Sequence, residues 1–186
     1  LKSRGIKLSE VDPRYPIGKF EKPAVTTHET RHEWITSIAI LPRQLQEIVR
    51  GMSEKELEST YRPGGWTIRQ IVHHLADSHI NSYCRFRLAL TENDPMIKPY
   101  DEAAWANLPD VRQEHVDVSL QLLSSLHTRW VTLLKSMDEA AFERTFVHPE
   151  LGKRSLNETT ALYAWHGLHH LAHIRIARGL AAHPRN

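Results

Sequence analysis

Four long stretches of this chain repeat their apolar residues at alternating intervals of three and four, and no convincing period-two stretch competes with them. Residues 28–50 carry Trp34, Ile38, Leu41, Leu45 and Ile48 in that spacing. Residues 68–91 place Ile68, Ile71, Val72, Leu75, Phe86 and Leu90 on one face. Residues 113–136, extended by Met137, repeat it with Leu123, Leu126, Trp130 and Leu133, and a fourth segment runs from Ser155 to about Arg178. A repeat of 3.6 residues is a helix turning one side to a core. Four such helices imply an all-α fold, a four-helix bundle. Its short connections are expected to carry short helices, with a long loop between the second and third long helices.

Local signals place the boundaries. Gly51 ends the first helix, and Ser53 with Glu56 forms a capping box for a short helix to about Ser59. Thr67 and Gln70 form a second box, with Trp66 and Ile71 placed to staple it; Ser155 and Glu158 suggest a third, and Gly179 stops the last helix. Pro42 lies inside the first pattern, removes one backbone donor and should kink the helix. Residues 92–112, with Pro95, Pro99 and Pro109, read as a functional lid or interaction loop. A short helix near 138–143 and a turn or small hairpin over 145–154 follow. Residues 52–61 resemble residues 137–146, which hints at an internal repeat. The expected organisation is an extended N-terminal arm (1–26), a helical-bundle domain (27–180) and a C-terminal tail (181–186).

The 186 residues contain no apolar run near the ~20 that a spanning helix needs. Cys84 is the only cysteine, so no internal disulfide and no cysteine-rich zinc ribbon can form. With no secretory pattern at the start of the sequence, a cytoplasmic protein is expected. Lys and Arg number 24 against 22 acids without a basic run, so neither nucleic acid nor membrane is an expected partner. Apolar residues beyond the core stripe, including Val131, Leu134, Leu168 and Leu171, suggest a homodimer.

Histidine is the outlying count, at 13, with His166, His169, His170 and His173 inside eight residues. On a helix these four share an arc of roughly 100° with Leu162, Tyr163, Ala177 and Leu180. Buried imidazoles need a partner for each ring nitrogen, and a divalent metal supplies one by taking lone pairs from neutral rings. Residues four apart on a helix stand about 5–6 Å apart at Cβ, so both His166 with His170 and His169 with His173 are open as ligand pairs. A third ligand must come from another helix. The second helix offers His73, His74 and His79; periodicity favours His79, puts His74 on the flank and turns His73 mostly away. Asp77, one turn after His74, could orient a ligand ring or accept a proton. Arg69, Arg85 and Arg87 read as solvated charges.

The stretch from Gly64 through Trp66, Thr67, Gln70, His73, His74 and Asp77 to His79 resembles the YfiT group of the DinB-like metalloprotein superfamily. So does the stretch from Tyr163 through His166, His169 and His170 to Ile174. Tyr15 to Gly18, Lys98 to Trp105 and His148-Pro149 add to the resemblance, which spans about 15–178. It implies a DinB/YfiT-like four-helix bundle holding one divalent metal ion, zinc or nickel, through His74, His166 and His170. It also implies a metal-dependent hydrolase, in which that ion activates water for attack on a small electrophilic substrate; Asp77, by its position one turn after His74, is the candidate catalytic residue. The alternatives are a thiol S-transferase using a low-molecular-weight thiol such as bacillithiol, and a non-catalytic metal-binding stress-response bundle.

Overall fold

The computed structural model describes residues 12–183; the first part of the expected arm, residues 1–11, and the end of the expected tail lie outside them. The long helices are α1 (His28–Val49), α3 (Ile68–Thr91), α6 (Val116–Ser136) and α8 (Leu156–Ala177). Between them lie α2 (Glu54–Leu57), α4 (Glu102–Trp105), α5 (Pro109–Gln113) and α7 (Glu139–Phe142). An antiparallel hairpin of β1 (Thr145–His148) and β2 (Gly152–Ser155) precedes α8.

The caps act where the sequence put them, with one exception. Thr67 Oγ1 accepts from the Gln70 amide at 3.1 Å, and Gln70 Oε1 accepts from the Thr67 amide at 3.0 Å. Ser155 caps α8 at the Glu158 amide, but the Glu158 carboxylate does not close a box. It pairs with Lys22 at 3.0 Å and with Arg154, because those cations lie within its reach. The third long helix starts at Val116 and not at 113: Pro109 opens a separate turn, α5, after which Glu114 is extended and His115 caps α6. Helix α1 is continuous through Pro42.

Both halves of the chain show the same order of elements: long helix, four-residue helix, antiparallel pairing, long helix. Thr60 bridges Thr67 in the first half, and Thr145 pairs with Ser155 in the second. Around the bundle, α1 packs on α6 and α8, and α3 packs on the same two, so α1 and α3 lie across a diagonal.

The core has two apolar clusters, one around Ile38, Phe86, Trp130 and Tyr163, the other around Leu41, Leu45, Leu75, Leu123 and Leu171. Along the chain, α1 and α8 pass from the first cluster to the second, whereas α3 and α6 pass from the second to the first. The first pair of helices therefore runs opposite to the second. At the level where one cluster gives way to the other, α3, α6 and α8 carry His79, His127, His166 and His170. The polar layer sits mid-bundle.

Three expectations about surfaces are corrected. Leu134 and Leu171 are buried in the core, because each helix contacts two neighbours and needs a wider stripe than one seam; of the four residues offered for a dimer, only Leu168 is exposed. Arg69 is buried and not solvated: its guanidinium donates to Glu58 at 2.7 Å and to Glu54, tying α2 onto α3. Leu180 lies past the end of α8 and is exposed.

Candidate metal centre

His74 on α3 and His166 and His170 on α8 each offer a ring nitrogen, and these atoms lie within 4.8 Å of one another. His74 is fixed by its place two turns into a well-capped helix, with Trp66 packed on its ring at 4.6 Å between centroids. His166 and His170, one turn apart, stand 4.5 Å apart ring to ring. Helix α8 is brought close to α1 at this level by Gly167, where a Cβ would lie only 2.7 Å from Leu41 Cδ2.

The donor set fits a divalent cation. His74 Nε2 is 3.3 Å from His166 Nε2. Two nitrogens each about 2.0–2.1 Å from a tetrahedral ion are about 3.3–3.4 Å apart. Among the described residues, Nδ1 of His170 is buried without a hydrogen-bond partner. Burial, with a smaller contribution from His169, lowers the pKa of His74 to about 4 and holds it neutral. Burial likewise pushes His166 and His170 well below the usual histidine range, although His166 keeps an accessible edge on the cavities beside it. Neutral imidazoles are the form that ligates.

Two cavities meet at His166. One, of about 440 Å³, is lined by His74, His166, His170, His169, His173 and Trp66. The other, of about 350 Å³, has apolar walls including Phe20, Phe146, Leu151 and Leu162, with Arg85, Tyr100 and Glu102 among its polar groups. Glu102 borders both, and desolvation raises its carboxyl pKa, against a smaller lowering by Arg85. The segment 12–26 closes over α8: Phe20 packs on Trp165 at 6.0 Å, and Asn157 Nδ2 donates to Thr26 Oγ1 at 2.9 Å.

The other histidines separate by what they touch. His79, the residue that periodicity favoured, is fully buried and stands behind His166, its Nε2 3.2 Å from His166 Nδ1. Helical spacing identified its burial correctly but cannot tell a group in the cluster from one behind it. His73 is buried too, with Nδ1 at 2.7 Å from Ser119 Oγ of α6. His169 stacks on Trp165 at 4.5 Å and His173 on Tyr61 at 3.9 Å. Asp77 is half-buried, and burial, with Asp110 nearby, raises its pKa to about 6. Among the described residues no hydrogen bond joins its carboxylate to a histidine. Sequence reasoning missed His127, a lone histidine on an apolar face with no local motif, and Glu102, which lies in the Lys98 to Trp105 stretch but carries no spacing that ties it to the histidines.

A layer of histidines inside an antiparallel bundle, open to a cavity, marks a metal-binding class of helical protein. The DinB superfamily model matches residues 38–174, and the chain belongs to that superfamily. It is 52% identical over 167 residues to a Bacillus mycoides protein named "putative metal-dependent hydrolase", covering 90% of this chain and 96% of that one. A Bacillus cereus protein of the same name matches with the same identity and coverage. YfiT from Bacillus subtilis, described as "a probable metal-dependent hydrolase with an unusual four-helix bundle topology", superposes with a TM-score of 0.87 at 43% identity, covering 91% of this chain and 98% of that one. The mycothiol-dependent maleylpyruvate isomerase shares the fold alone, with a TM-score of 0.63 at 15% identity over 81% of this chain and 63% of that one.

Proposed function

We propose that this chain is a metal-dependent hydrolase that holds one divalent ion, zinc or nickel, on His74, His166 and His170 and acts on a small molecule. The observation that carries the reading is the convergence of three neutral imidazoles from two helices on one point beside a cavity. Imidazole-only ligation suits either metal. Three neutral ligands leave the ion's double charge uncompensated and a position open, and such an ion lowers the pKa of bound water to about 7.

The surrounding residues have separate tasks in this reading. The apolar walls from Phe20, Phe146, Leu151 and Leu162 take the body of the substrate and exclude water. A volume of about 350 Å³ suits a small ligand. Asp77, one turn after His74 on α3 but lining neither cavity, is the proposed proton acceptor; raised to about 6 by burial, it is mostly ionised at neutral pH yet basic enough to take a proton. Glu102 is a second acid at the mouth of both cavities.

The test is to incubate metal-loaded protein with a panel of esters, amides and activated electrophiles, with and without a low-molecular-weight thiol. Hydrolysis without thiol, lost in His166→Ala, is the expected result. Turnover only with thiol would replace the hydrolase by a thiol transferase, and inertness to both panels would leave a binding protein.

A further inference from the structure

A proline inside a helix leaves an unserved carbonyl four residues earlier, since it has no N–H to donate. Pro42 of α1 leaves the carbonyl of Ile38 in that state. The carbonyl is instead met by His127 Nδ1 of α6, at 2.7 Å and fully inside the core. From this contact the proton positions of three rings follow by elimination. A carbonyl only accepts, so His127 carries its proton on Nδ1, and a neutral ring then has a lone pair on Nε2. That lone pair lies 2.8 Å from His79 Nδ1, which must therefore donate. His79 Nε2 is left as an acceptor, 3.2 Å from His166 Nδ1, which must donate in turn. The remaining lone pair of His166 is on Nε2, the nitrogen that faces His74 Nε2 at 3.3 Å.

We propose that Pro42, the Ile38 carbonyl, His127 and His79 form a positioning device that locks His166 in the one tautomer whose free lone pair points into the metal site. The inference rests on the reading of His74, His166 and His170 as ligands. His79 and His127 touch neither ion nor substrate in it; they act through His166. The row passes from α8 to α3 to α6 to α1, so every long helix supplies one member. It also gives Pro42 a purpose. An intrahelical N–H at position 42 would compete with His127 for the same oxygen, and the whole direction of the row is set by that oxygen's inability to donate. Groups that orient a ligand ring typically contribute 10–100-fold to metal affinity.

The first experiment needs no variant and no metal. Protein labelled with ¹⁵N in histidine is stripped with chelator, and the tautomers are read from long-range proton–nitrogen correlations. His127, His79 and His166 are each expected as Nδ1–H. A Nε2–H form at any of the three overturns the proposal. The second is zinc affinity by competition with a chromophoric chelator. His79→Phe, which cannot accept, is expected to bind zinc 10–100-fold more weakly. His79→Gln, whose amide can both donate and accept, is expected within about threefold of wild type. Pro42→Ala is expected to weaken binding several-fold and to disturb the His127 resonances. Should His79→Phe fail to fold, His79→Gln, Pro42→Ala and the tautomer measurement still decide the matter. Folded variants that all match wild-type affinity would overturn the proposal alone. Wild-type protein that takes up no zinc or nickel would instead overturn the ligand reading beneath it.

Discussion

Acidification should destabilise this protein well above the pH at which carboxylates titrate, because its core stores neutral histidines. His74 and His127 are both buried, and burial lowers each to about pKa 4. In the unfolded chain each returns to about 6.5. Below pH 6.5 the unfolded state therefore binds protons that the folded state refuses. Stability falls as pH drops through 6.5 and stops falling from this source below about 4. At pH 5 the loss is about 2 kcal/mol for each of the two. Asp77 works the other way: its folded pKa of about 6 exceeds the unfolded value, so stability is gained as pH falls through 6. Its half-exposed position limits that gain to under about 1 kcal/mol after solvent screening. His79, His166, His169, His170 and His173 are lowered in the same direction by burial, so the net expectation is a loss of at least about 3 kcal/mol between pH 7.5 and 5, from a total that is typically ~5–15 kcal/mol. Urea unfolding followed by far-UV circular dichroism, with chelator present, measures it. With a slope near 2 kcal/mol/M, the midpoint should drop by at least about 1.5 M urea. Equal midpoints, or a higher one at pH 5, would refute the reasoning.

Three other expectations are open to measurement. Gly167→Ala should lower stability by about 1 kcal/mol: the clash with Leu41 costs about 1–3 and the gain in helix propensity returns about 1. Thermal unfolding reads it, and adding Leu41→Val should cost less than the two single losses summed. Arg69→Met should cost about 1–3 kcal/mol, since its charged hydrogen bonds hold α2 to α3; an unchanged urea midpoint would contradict that. Asp77→Asn should reduce kcat/KM by about 100-fold or more, with metal content unchanged, and remove any acid limb near pH 6. Full activity in that variant would end its assignment as proton acceptor.

Much of the fold was legible because its determinants are local. Thr67 and Gln70 cap α3, and the 3-and-4 spacing marks the four long helices without reference to any partner. The start of α6 was misplaced because Pro109 opens a turn of its own, and short helices such as α4 leave no periodicity to read. The surface leucines were misjudged for a different reason. A helix packed on two neighbours buries a wide arc, so Leu134 and Leu171 look surplus in sequence and are core in space. At the site, spacing on α8 left two histidine pairs open. Choosing between His74 and His79 depends on which ring reaches α8 in front of the other, a long-range fact. His127 could not be found at all, since its role comes from a carbonyl on α1 and a ring on α3.

The proposed chemistry depends on three imidazoles holding an ion. Elemental analysis of protein made without a polyhistidine tag and dialysed against zinc and nickel tests this directly. The expected result is one equivalent of divalent metal per chain, lost in each of His74→Ala, His166→Ala and His170→Ala and kept in His169→Ala. Protein that retains no metal, or that keeps its full equivalent after the loss of His166, would contradict it.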